Sequence, residues 1–347
     1  MRMARELNIT SSNMKEIYIV LDSLLTGFDD WESHFGSTML GYIESHGLSN
    51  YQIIEQPDLT VIKSKFEKKE IEPNTLFIFP NAWTPATTYI KHWSELYQTP
   101  IKSIGFWSKG CFINSDTEFR PLNDRNWRKV YERANFRCLD KSFFISEYFK
   151  EQFRIYVSKF VFPDRLKVMP FPLDYLPMEI AAFKDNYYKQ DLIIFPWHTY
   201  SQLEEQFVYD FIRVFKDIKV IFAQEHEPLN RDQLLTQLSK AKVAFLPYTY
   251  PSIGKEIYEC FLLNTIPLVP DIEGVRDLVP SEFRYPPEWT ANILSYCQYA
   301  PDLVAKIKEL TYNYSEYKSL IEEQQEYLME EYFNSDQIIN EIFNVIN

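Results

Sequence analysis

Residues Lys242–Asp277 read KVAFLPYTYPSIGKEIYECFLLNTIPLVPDIEGVRD. The apolar run Lys242–Pro247 predicts a buried strand. The loop Ser252-Ile-Gly254-Lys255 predicts a helix start, and Lys255–Leu263 a helix carrying Glu259. Thr265–Val269 predicts a second strand, followed by a loop at Gly274. A strand, a helix and a second strand in this order form a parallel βαβ unit. Near-continuous apolar strands are what a sheet covered on both faces requires.

The same alternation runs outward along the chain. Further strands are expected at Glu16–Asp22, Tyr51–Glu55, Thr60–Lys63, Thr75–Pro80, Ile101–Trp107, Ser142–Ser146, Leu166–Pro170, Asp191–Pro196 and Ile218–Ala223. Glu32–His46, Leu203–Phe215 and Arg231–Lys240 read as helices between them. The fold class is therefore α/β, with two Rossmann-like doubly wound domains facing a cleft; an α+β arrangement with mixed sheets is the alternative. The expected division is a first Rossmann-like domain at 1–175, a linker at 176–190, and a second Rossmann-like domain at 191–325. A helical tail at 326–347 either caps the second sheet or crosses back to the first domain.

The chain has 347 residues, long enough for two such domains, and 46% hydrophobic residues supply their cores. Its eight glycines build neither a G-x-G-x-x-G nor a P-loop cradle. Four separated cysteines without a C-x-x-C exclude a zinc framework and a disulfide scaffold, and suggest reduced thiols. No apolar run approaches the ~20 residues of a bilayer-spanning helix, and the first residues lack an apolar signal core. A cytoplasmic monomer without a membrane span is expected.

The formal net charge of −13 disfavours a general nucleic-acid coat. Charge is uneven, however. Residues 101–175 hold 14 Lys and Arg against 9 Asp and Glu, densest at Arg120, Arg125, Arg128, Lys129, Arg133, Arg137 and Lys141. This strip is either a solvated helix face with pairs such as Arg128–Glu132 or a surface for a polyanion.

The helix start after Gly254 offers backbone N–H groups and a positive dipole end to an anion, and Lys255 adds a full charge. One turn along, Glu259 has the chemistry to accept hydrogen bonds from ribose hydroxyls. The alternative is an ordinary βαβ unit with an exposed lysine and glutamate.

This segment resembles the nucleotide-sugar half-site of the GT-B glycosyltransferases, whose pattern is a loop, a helix with a glutamate, a small-residue turn and a Pro-Val-Val strand. Glu259, then Asn264-Thr-Ile-Pro-Leu-Val, follows it. Asp140–Lys150, Leu166–Asp174 and Asp191–Thr199 resemble other portions of the same family. Among its members, the chain is similar to bacteriophage DNA glycosyltransferases acting on hydroxymethylated cytosine.

The resemblance implies a UDP-sugar co-substrate and no separate cofactor. It implies donor-binding roles for Lys255, Glu259, Gly254, Ser252, His198 and Thr199. Catalytic-base candidates are Asp30 and Asp29, in the loop after the first strand, and Asp116. A helix cap for Asp29 or Asp30, a turn role for Asp116 and a structural role for His198 are the alternatives. Acceptor-binding candidates are Trp83, Arg120, Arg125, Arg128 and Lys129, facing duplex DNA whose target base is flipped out; a glycan or small-molecule acceptor is the second possibility. A catalytically inactive nucleotide-sugar-binding protein is a third.

Three features depart from the family. The loop after Phe195 lacks its Gly-Arg and Lys, Pro251 stands where a second glutamate is common, and no D-x-D occurs. The last point predicts a site without an obligatory metal.

Overall fold

The computed structural model describes residues 17–21, 51–55, 59–107, 125–157, 163–169, 173, 175–184, 188–196, 202–223, 228–247, 254–333 and 340. The chain divides into two compact units. One comprises Met1–Asn114, Pro121–Pro172 and Ser335–Asn347, the other Ser115–Arg120 and Leu173–Asn334.

In the first unit six strands form a parallel sheet: β1 (Ile17–Leu21), β2 (Tyr51–Glu55), β3 (Leu76–Phe79), β4 (Lys102–Trp107), β5 (Lys141–Phe144) and β6 (Leu166–Val168). Their spatial order is β2-β1-β3-β4-β5-β6. The chain runs outward from β1 to β2, then crosses back to lay β3 on the other side of β1, with Ile17 paired to both Tyr51 and Leu76. Strands β1 and β3 are buried along their whole length, as a sheet covered on both faces demands.

Helices α1 (Leu59–Glu67), α2 (Ala86–Leu96), α3 (Arg125–Cys138) and α4 (Glu147–Val157) belong to this unit. The strand expected at Thr60–Lys63 is instead part of α1. Ile62 and Phe66, four residues apart, are both buried, and Phe66 stacks on Phe77 of β3 at 6.3 Å. The β-branched run Thr60-Val-Ile reads locally as strand, but helical spacing is what seats both apolar groups on the sheet.

Much of the aromatic content fills this core. Trp107 packs with Phe136, Phe144 and Phe153 at ring distances of 4.8–6.5 Å. Gly105 in β4 leaves room for Leu139, the residue just past α3, and for Ala82 beyond β3: a Cβ there would stand 2.5 Å from Leu139 Cδ1 and 2.9 Å from Ala82 Cβ.

The second unit holds β7 (Gln190–Phe195), β8 (Lys219–Phe222), β9 (Ala241–Phe245), β10 (Ile266–Pro270) and β11 (Arg284–Tyr285), ordered β11-β10-β9-β7-β8 and all parallel. The principal helices are α5 (Tyr175–Lys184), α6 (Gln202–Val214), α7 (Arg231–Lys240), α8 (Lys255–Leu262), α9 (Glu273–Arg276), α10 (Ile293–Tyr312) and α11 (Lys318–Glu331). Helix α5 occupies the stretch read as a linker and packs against α7 and α8. Pro177 falls in its first turn, where a missing N–H costs little. Phe195, Phe207, Phe211 and Phe245 form the aromatic centre, with Tyr296 of α10 set edge-on 4.6 Å from Phe207.

Candidate functional site

In doubly wound sheets, ligands gather beyond the carboxyl ends of the strands, where the winding reverses. The first sheet reverses between β1 and β3, the second between β7 and β9. Asp29 and Asp30 follow β1 and Trp83 follows β3; His198 and Thr199 follow β7; Ser252, Gly254 and Lys255 follow β9. Asp29, Asp30, Asp116, Arg120, His198, Thr199 and Ser252 lie outside the described residues. Arg125 and Arg128 lie in α3, with their side chains outside the description.

Gly254 caps α8 in an extended conformation, with φ −77° and ψ 159°, and no side chain hydrogen-bonds at that cap. The first-turn amides of α8 thus keep the exposed dipole end expected of an anion site. Lys255 and Glu256 are both half-buried in that turn.

Glu259, one turn farther, is fully buried. Its partner comes from α7. Asn230 and Gln233 form a reciprocal capping box, each side chain accepting from the other's backbone N–H at 2.9 Å. This fixes Arg231 at the first position of α7. Arg231 Nη2 lies 2.7 Å from Glu259 Oε1. The same guanidinium donates to both oxygens of Glu179 on α5, from Nε at 2.9 Å and Nη2 at 3.1 Å.

Burial works against the charge on Arg231, but hydrogen bonds to Glu179 and Glu259 outweigh it and hold the guanidinium protonated. For Glu256 the compensation from its own backbone N–H, Lys255 and Arg231 is the weaker side. Burial of its carboxyl group, and then repulsion from Glu259, push it up to about 7. Three carboxyl groups thus surround one guanidinium beside the α8 amino end, and Glu259 Oε2 is buried with no hydrogen-bond partner among the described residues. The sequence located Glu259, Gly254 and Lys255 but pointed to neither Arg231 nor Glu179. The Asn230-Arg-Asp-Gln233 cap was the legible signal for the first.

In the first unit, Trp83 is half-buried beyond β3. Its backbone N–H donates to Asn81 Oδ1 at 2.9 Å, and its ring meets Tyr131 of α3 edge-on at 4.9 Å. Helix α3 buries Glu132 and Asn135, the latter donating to Ala82 O at 3.1 Å. Glu132 is therefore on the inner face of α3. Lys129 is half-buried, while Arg133 and Arg137, at the following four-residue steps, are exposed. No group of three or more His, Cys, Asp or Glu among the described residues could hold a metal. No described helix is long and apolar enough to cross a membrane.

No protein-family model and no curated protein sequence matches the chain. Solved structures match it by shape. Sucrose-phosphate synthase from Thermosynechococcus elongatus is 12% identical with a TM-score of 0.54, covering 95% of this chain and 98% of that one. The chain has the GT-B fold. The S. aureus MnaA–UDP co-structure is 13% identical with a TM-score of 0.52, covering 86% and 91%. The pneumococcal O-GlcNAc transferase GtfA in complex with UDP and GlcNAc is 13% identical with a TM-score of 0.53. That alignment covers 82% of this chain and 59% of GtfA.

Proposed function

We propose that this GT-B chain is a glycosyltransferase drawing its sugar from a nucleoside diphosphate donor, UDP in the first instance. The observation that carries this reading is the reversal of the second sheet between β7 and β9, with the uncapped amino end of α8 following β9. A diphosphate placed there meets the amides of Lys255 and Glu256, the helix dipole and the Lys255 ammonium. In the sequence, His198 and Thr199 follow β7 and Ser252 follows β9. Arg231 engages one oxygen of Glu259, and donor binding must uncover the other, which is fully buried, for it to accept from the ribose hydroxyls. As the glycosidic bond breaks, negative charge grows on the leaving diphosphate, and the same groups stabilise it.

The acceptor belongs to the first unit in this reading, with Asp29, Asp30 or Asp116 taking the acceptor hydroxyl's proton and Trp83 lining the pocket. The basic residues of α3, with Lys129, Arg133 and Arg137 at four-residue steps, support duplex DNA bearing hydroxymethylcytosine. The overall charge of −13 supports a glycan or small acceptor instead.

Calorimetric titration with UDP tests the donor site. The parent chain is expected to bind, and Lys255→Ala to bind about 10-fold more weakly or worse, the scale of one charge-assisted hydrogen bond. A parent that binds neither UDP nor a UDP-sugar would refute the reading. UDP release that depends on hydroxymethylated DNA, compared with release on small acceptors, decides between the two acceptors.

A further inference from the structure

At the opposite, amino-terminal end of the second sheet is a cavity of about 530 Å³. It lies a strand's length from the candidate donor site, on the order of 15–20 Å. Four lysines line it: Lys184 at the end of α5, Lys189 before β7, Lys242 in β9 and Lys318 at the start of α11. Glu322 is the single acidic residue among the described residues of the lining.

This concentration runs against the local charge. Residues 176–347 carry 14 Lys and Arg against 27 Asp and Glu. Four of those 14 cations nonetheless line one hollow; Asp191 offsets Lys242 within the chain, which leaves Lys184 and Lys318 as the charges a bound anion would meet.

The lysines divide into two anchored and two open. Lys189 donates to Ala241 O at 2.7 Å and Thr265 Oγ1 at 2.8 Å, and lies 3.3 Å from Leu238 O. Lys242 pairs with Asp191 at 2.6 Å and stands 5.9 Å from the ring centre of Tyr314. Lys184 and Lys318 are exposed and have no ion-pair partner among the described residues.

The framework around them is rigid. Asn264, held at φ 58°, accepts from Tyr314 at its carbonyl and from Gln325 Nε2 at its side-chain oxygen, the latter at 2.7 Å. Tyr188 and Tyr312, both exposed, add aromatic surface to a lining that also includes the exposed Ser315, while Ser239 Oγ donates to Thr236 O at 2.9 Å. The size falls within the range of small-molecule sites.

We propose that this cavity binds a phosphorylated small molecule at a site separate from the donor site. The two open ammoniums supply the charge, the two anchored ones shape the floor, and the tyrosines accommodate the group that carries the phosphate. Burial also lowers Lys189 to about 7, so an anion nearby would favour its protonated form.

The test titrates the full chain with inorganic pyrophosphate by calorimetry, in the presence of saturating UDP and with sodium sulfate at matched ionic strength as the control. The parent and Lys255→Ala are expected to bind pyrophosphate alike. The double variant Lys184→Glu/Lys318→Glu, altered only at exposed positions, is expected to lose at least about 30-fold in affinity. Three results would overturn the proposal: no pyrophosphate binding to the parent below about 1 mM, an equal response to sulfate, or unchanged affinity in the double variant. The lysine comparison reads the cavity whether or not UDP binds, so failure here is distinct from failure of the donor site.

Discussion

Replacing Arg231 with methionine keeps the length of the side chain but removes the only guanidinium between Glu179 and Glu259. At 2.7 Å, the attraction to Glu259 is roughly 6 kcal/mol gross for an effective dielectric near 20. The net loss is smaller, because Arg231 also sheds its own desolvation cost. Stranding one partner of a buried pair typically costs about 3–5 kcal/mol. Glu259 has no exposure through which water could take over.

For a unit of this size, that loss lowers the melting temperature by about 6–20 °C. Glu179 is partly exposed, so Glu179→Gln should cost less than about 1 kcal/mol. Glu259→Gln added to Arg231→Met removes the stranded charge and should recover most of the loss, giving a coupling of at least about 2 kcal/mol. Urea unfolding of the four proteins measures the cycle. An Arg231→Met variant no less stable than Glu179→Gln, or strictly additive effects in the double variant, would show that the buried pair is not what holds α5, α7 and α8 together.

Two other predictions use the same unfolding assay. Glu256 has a folded-state value raised from 4.5 to about 7, so the folded chain holds its proton more tightly than the unfolded chain. Its contribution is complete below pH 4.5 and is lost as pH rises through 7, on the order of 3 kcal/mol. Glu256→Gln should flatten stability across that window, and parallel pH profiles for parent and variant would contradict the assignment. Gly105→Ala drives a methyl group against Leu139 and the immovable Ala82 Cβ, at a cost of about 1–3 kcal/mol. An unchanged melting temperature would mean that Leu139 and Ala82 do not press on β4 as described.

The strands of both sheets were legible because covered parallel strands are short apolar blocks, and LFIF at 76–79 or IPLVP at 266–270 leaves little ambiguity. Helix α8 was legible through the Gly254 start and its apolar face. Helix α1 was not, because Thr60-Val-Ile favours a strand locally and only contact with Phe77 decides otherwise. Helix α5 was hidden by Pro177 and by the polar stretch 185–190 that follows the helix in the sequence. The site divides in the same way. Glu259 stood out from its place in one βαβ unit, whereas Arg231 and Glu179 are 52 residues apart, and no local pattern signals that pairing. Aromatic residues were ambiguous between core and ligand stacking, and the interlocked rings of Trp107, Phe144 and Phe153 show how many the interior absorbs.

The outermost strands are brief. Strand β6 has three residues, β11 two and β8 four, leaving only β2 with five at the remaining border. An unpaired ribbon of backbone invites a neighbouring molecule to add its own strand, and the hazard grows with length. By tapering at the margins, this protein offers few consecutive donors and acceptors for such recruitment. Resistance to self-association is thus built into the lengths of its border strands as well as into its negative charge.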